Sequence, residues 1–305
     1  MGKTTIVKAS KKKKQAPPLR ASMTSEAAFR AAATHYVNQV TARQKGTSAG
    51  DADDLHAMRV ALTRLRATMA LFSPMVEGDD EVRLGAELKW LNAHLGIVRD
   101  LDVALERLAK VRQPAAVNNR PWKQERAACQ RHLTRALRSQ RYRRLIRDIG
   151  KWIEHGEWSR KRTKKAAERR ARPAGDYCAE KLLAWRKKLL KRSRRLKDVG
   201  THKRHRVRLA NKRLSYAIEA AASLAPASER VAQLATMKWL RRAQKSLGQL
   251  NDDQRRRSLA AALGEDKLDE SGLLLGAKQR KRLLRKAANA YDELASLDAL
   301  KSSDG

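Results

Sequence analysis

The sequence predicts an all-α protein, and three observations carry that prediction. Ala, Leu, Arg and Lys dominate, and all four are strong helix formers. Gly (15) and Pro (7) are sparse in a chain of 305 residues. No run of alternating Val, Ile, Thr and aromatic residues shows the two-residue period of a strand. With 42% hydrophobic residues, the chain can bury a sizeable core as one large domain or two ordinary ones.

Each helix follows from a 3.6-residue apolar period bounded by helix-stopping residues. The first spans 23–45 and stops at "KGTSAGD". The second, 52–72, starts at Asp51, an N-cap residue, and carries the stripe Met58, Leu62, Leu65, Met69 and Phe72. After "SPMVEGDD" comes 79–110, capped by Asp79 or Asp80, with Leu84, Leu88, Leu91, Leu95, Val98 and Leu105 on one stripe. "RQPAAVNNRP" separates it from 121–149, and "RPAGD" precedes 174–199. Thr201 caps 202–224, whose stripe is Val207, Leu214 and Ile218. "APAS" then leads into 228–263, and the last helix spans 278–297.

Charge narrows the partner class. The chain holds 69 Lys and Arg against 32 Asp and Glu, a net charge of +37. Such an imbalance repels itself and favours a strongly negative partner: nucleic acid, an anionic membrane, or another polyanion such as a phosphate polymer. No apolar run approaches 18 residues, so no membrane span is expected. Residues 1–20 are basic and lack the apolar core of a secretory signal, so they are expected to be a disordered basic arm. Cys129 and Cys178 stand far apart, outside any disulfide framework or zinc spacing, which suits a reducing cytoplasm.

An internal repeat organises the chain. "HAMRVALTRLRATMA" (56–70) aligns without gaps on "HRVRLANKRLSYAIE" (205–219). His56 falls on His205, Arg59 on Arg208, Arg64 on Arg213 and Leu65 on Leu214. Further on, "LGIVRDLD" (95–102) aligns with "LGQLNDDQ" (247–254), placing Gly96 on Gly248 and Asp100 on Asp252. Two matches in the same order predict two similar helical halves, 21–172 and 173–300.

Each copy of the first motif has two faces. With His56 at 0° and 100° per residue, the core stripe lies between about 160° and 240°, whereas Arg59, Thr63 and Arg66 lie between about 280° and 340°. Arg64 flanks them near 80°. In the second copy His205, Arg208, Lys212, Ser215 and Tyr216 oppose the core, and Arg213 is the flanking cation. Three turns extend such an array over roughly 15 Å. A compact ligand needs convergent donors, but a linear polyanion fits a ladder in which Arg forks onto oxygens and Lys acts as a point charge.

In the second motif Asp102 sits on the apolar stripe, where a carboxylate needs a cation or hydrogen bonds to stay charged. Arg99 or an arginine of helix 52–72 is the expected partner. Asp100, Asp102 and Asp252 are read as groups that orient cations or histidines, and Gly96 and Gly248 as sites of close helix approach or a kink.

"H-x-M-R-V-x-x-x-R-L-R" at 56–66 and "H-x-V-R-L-x-x-K-R-L" at 205–214, followed by "LGxxRD" and "LGxxND", resemble the CHAD domain, the conserved histidine α-helical domain. The resemblance spans about 23–300 and implies two four-helix bundles related by a pseudo-twofold axis around a basic central groove or pore. It also implies inorganic polyphosphate as ligand, with association with cytoplasmic polyphosphate granules. By resemblance His56, Arg59, Arg64, Arg66, His205, Arg208, Lys212 and Arg213 line that groove. Two positions depart from the pattern: Thr63 stands where the family often has a cation, and Ser215 where it often has arginine.

The expected function is therefore non-catalytic polyphosphate binding, and the alternative is a basic helical nucleic-acid-binding protein. Against the alternative, no helix-turn-helix, zinc-finger or RNA-recognition signature is present, and Tyr216 alone interrupts the His–Arg faces as an aromatic. Without a His-x3-His, paired-carboxylate or P-loop pattern, neither catalysis nor a metal or cofactor is expected.

Overall fold

The computed structural model describes residues 17–110, 119–264 and 274–302. The expected arm lies outside them except for its last four residues, as does most of the break "RQPAAVNNRP". Among the described residues the regular elements are helices: α1 (Ser25–Ala42), α2 (Gln44–Ala49), α3 (Ala52–Val76), α4 (Asp79–Leu108), α5 (Arg120–Arg138) and α6 (Gln140–His155). They are followed by α7 (Glu157–Arg160), α8 (Lys164–Ala171), α9 (Ala174–Ser193), α10 (Thr201–Ala221), α11 (Arg230–Ala262) and α12 (Ala277–Ser302). An isolated bridge joins Thr24 to Pro173 and ties the start of α1 to the start of α9, with Ser25 N donating to the Arg172 carbonyl at 2.8 Å.

Helix starts follow local chemistry. The Asp51 side chain caps α3 by accepting from Asp54 N at 2.7 Å, as expected. For α4 the cap is Gly78 rather than either aspartate. Asp79, Asp80 and Glu81 instead occupy the first turn, where negative charge favours the helix dipole. Similarly Gly200 caps α10, and Thr201 is its first helical residue.

The single helix expected over 121–149 is two. Ser139 is extended (φ −70°, ψ 157°), closes α5 and caps α6, with its hydroxyl accepting from Tyr142 N at 3.2 Å. One serine breaks the helix without Gly or Pro, so the apolar period runs on and conceals the break. The short helices α7 and α8 were likewise masked by the charge run at 138–172.

Buried side chains form two clusters among the described residues. One draws on α1, α3, α4, α5 and α6 and includes Phe29, Phe72, Trp122, Trp152 and Trp158. The other joins α9 to α12 through Leu189, Val207, Leu214, Leu240, Tyr291 and Leu294. Helix α10 serves both: Val207, Leu214 and Ile218 face the second cluster, while Ala217, Ala220 and Ala221 pack into the first. These alanines bring α10 against α3, so the two copies of the His–Arg motif meet across one helix pair. The expected division at 172/173 falls just before α9, whose Tyr177 and Cys178 pack with the first cluster and Leu189 with the second.

Candidate functional site: a cation cluster between the repeated motifs

From α3, the Arg59 guanidinium crosses to α4 and donates to the Gly96 carbonyl at 2.9 Å. It also lies 4.0 Å from Asp100. Asp100 in turn binds Arg255 of α11, so one carboxylate holds an arginine from each half. From α10, Arg208 and Lys212 enter the same space and share the electrostatic influence of Asp100, Asp252 and neighbouring arginines. Four cations (Arg59, Arg208, Lys212 and Arg255) therefore face two carboxylates.

The cost of this surplus appears in the protonation behaviour. Burial, then Arg208 and Arg59, push Lys212 from 10.5 down to about 8. Arg59 and Arg208 are lowered by burial before any carboxylate raises them. Burial also raises Asp100, against which Arg255 and Arg59 act. The Arg208 Nε is buried and has no hydrogen-bond acceptor among the described residues. Lys212 contacts the Tyr216 ring at 5.7 Å and has no carboxylate within ion-pairing distance among the described residues.

The remaining predicted residues are distributed differently. His205 lies beside the cluster and lines the adjoining cleft, with its Nδ1 hydrogen-bonded to Asn251 Oδ1 at 3.0 Å. His56 is exposed near the start of α3. Arg64 is committed to Glu219 at 3.1 Å, a carboxylate shared with Arg241. Arg66 is lowered by burial and then by Arg213, which itself lies over the Trp185 ring at 5.7 Å. Ser215 is buried and donates to the Asn211 carbonyl at 2.9 Å, so it does not extend the cationic face as its phase suggested. Thr63 likewise donates to the Arg59 carbonyl at 2.8 Å.

Two sequence expectations need correction. Asp102 pairs with Arg126 of α5 at 3.0 Å, whereas Arg99 turns to Glu106 at 3.0 Å. The core stripe of α4 packs against α5, so the partner of a carboxylate on that stripe comes from α5. Close helix approach does not require glycine at either position. A Cβ at Gly96 would sit 3.5 Å from Arg59 Nη1, and one at Gly248 would meet nothing within 4 Å.

Two clefts flank the cluster. One, of about 790 Å³, lies between α10 and α11 and reaches Arg280 at the start of α12. The other, of about 530 Å³, lies between α3, α4 and α11 and is lined by Arg59, Lys89 and Asp100. Arg255 borders both. Sequence reasoning missed Arg255 and Asn251, although extending the second alignment places them opposite Val103 and Arg99.

Comparisons with known proteins agree with this architecture. Residues 31–261 match the family model described as CHAD domain. A crystal structure of the CHAD domain from the plant Ricinus communis matches with a TM-score of 0.68 and 25% identity, covering 93% of this chain and 94% of that one. Comparison with curated proteins gives no match.

Proposed function

Because the chain belongs to the CHAD domain family, we propose that it binds inorganic polyphosphate without catalysis, at the cation cluster between its two His–Arg motifs. The carrying observation is a surplus of partly buried cations: Arg208 Nε has no acceptor among the described residues, and Lys212 feels Arg208 and Arg59 more strongly than Asp252 and Asp100. A buried cation without a counter-charge costs stability, and a polyanion removes that cost when it binds. In this reading Arg59, Arg208, Lys212 and His205 contact the polymer directly. His56, Arg66 and Arg213 lie along its path, and Arg64 is held back by Glu219. The two halves act as pseudo-twofold bundles around the groove, and binding of this kind would place the protein at cytoplasmic polyphosphate granules.

Retention of long-chain polyphosphate and duplex DNA at matched salt tests the reading, with released phosphate measured in the same samples. Polyphosphate should bind more tightly, and log affinity should fall against log salt with a slope of about −0.7 per phosphate neutralised, by analogy with single strands. DNA binding as tight as polyphosphate binding, or phosphate release that depends on His56 or His205, would overturn it.

Lys212 adds a pH prediction. Its charge is present below about 8 and lost above it, so affinity should decline as pH rises through that value. Lys212→Arg should flatten the decline. Protein stability should move the opposite way. The folded-state pKa lies below the ordinary 10.5, so folding opposes the charged form; that penalty is full below about 8 and fades as pH rises towards 10.5. Titrating affinity and thermal midpoint in parallel checks both signs, and a flat affinity profile in the wild type would remove Lys212 from the contact set.

A further inference from the structure

The two clefts share one aligned pair of lining residues, Arg59 and Arg208, and are otherwise lined differently. In the cluster that the clefts flank, the second half has Lys212 where the first has Thr63, whose hydroxyl turns back to its own helix. Where the second has Arg255, the first has Val103. Asn251 holds His205 at 3.0 Å, but its counterpart Arg99 is engaged by Glu106. The α10–α11 cleft gathers Arg204, Arg208, Arg257 and Arg280 besides Arg255, with Asp253 as its acid. Asp253 is buried beneath them, accepting from the Leu275 backbone N at 2.7 Å and from Arg257 at 3.3 Å. Beyond Arg255, the α3–α4 cleft offers Arg59 and Lys89 against Asp100. Both volumes lie in the range of roughly 300–1,000 Å³ typical of ligand sites.

On the reading that the cluster binds polyphosphate, we propose that the grip is unequal. The α10–α11 cleft is the primary subsite and takes a short run of phosphates. Arg255, paired with Asp100, is the crossing point through which a longer chain reaches the α3–α4 cleft. Affinity then rises with chain length because the second cleft is engaged, and the protein distinguishes long polymer from tripolyphosphate. Phosphate oxygens compete with the Asp100 carboxylate for Arg255, so the crossing forms only when a chain is present to replace that ion pair.

The test compares tripolyphosphate with long-chain polyphosphate on the full chain, for the wild type, for Lys89→Ala and for Arg204→Ala combined with the change of its cleft neighbour His202→Ala. Helical circular dichroism and the thermal midpoint confirm folding in each. The Arg204/His202 variant should lose about tenfold in affinity for both ligands, the scale of a lost hydrogen bond between charged groups. Lys89→Ala should weaken only the long chain and reduce its salt slope by about 0.7, the value of one phosphate contact. Equal weakening of tripolyphosphate by both variants, or an unchanged long-chain slope in Lys89→Ala, overturns the asymmetry and leaves polyphosphate binding intact. Failure of the wild type to bind either ligand overturns both.

Discussion

The Arg59→Ala/Arg208→Ala double variant should lose about a hundredfold or more in affinity for long-chain polyphosphate, because each charge-assisted bond contributes about 1.5–3 kcal/mol. The Lys11→Ala/Lys14→Ala variant removes the same formal charge and should lose far less. Net charge cannot explain such a difference; placement can. Arg59 and Arg208 reach from the two motifs into one cluster with Lys212 and the Asp100–Arg255 pair. Because Arg59 also donates to the Gly96 carbonyl, helical circular dichroism and the thermal midpoint confirm that the double variant is folded. Equal losses of affinity from both variants would show that the ligand reads overall charge and not this cluster.

Asp253→Ala should be the most destabilising single change near the site, costing on the order of 3–5 kcal/mol, as expected when a buried ion pair loses one partner. Asp253 is 2% exposed, and its carboxylate accepts from Leu275 N and Arg257 while standing 3.8 Å from Arg256 and 3.9 Å from Arg280. Its removal leaves Arg256, itself buried, without that counter-charge and loosens the start of α12 from α11. Asp253→Asn keeps an oxygen for Leu275 N and should fall between the wild type and alanine. Urea unfolding monitored by helical circular dichroism measures the ranking. An alanine variant as stable as the asparagine variant would mean that the arginines are satisfied without this carboxylate.

Much of the fold was legible because amphipathic helices record their buried face in their period. Met58, Leu62, Leu65, Met69 and Phe72 are all buried, as are Val207, Leu214 and Ile218. The repeat located both motifs whose helices enclose the cluster. Asp253 shows where that reading ends: it aligns with Leu101, a core position, so nothing in the first half marks it as a charged anchor. Ser139 shows a second limit, because a break made by one capping serine leaves the apolar period undisturbed.

By itself, the sequence determined the helical class, the Asp51 cap of α3, the apolar stripes of the motif helices, and the recurrence of His, Arg and a later Asp in each half. Those features are local, fixed by propensity and by a period of a few residues. Only the tertiary structure decided which cations remain uncompensated. Arg64 and Arg59 both lie off the core stripe of α3, yet Arg64 meets Glu219, 155 residues away in the chain, and Arg59 enters a space where cations outnumber carboxylates. Arg255 reaches Asp100 across the same separation. Electrostatic energy depends on distance and burial in three dimensions, and a helical period records neither.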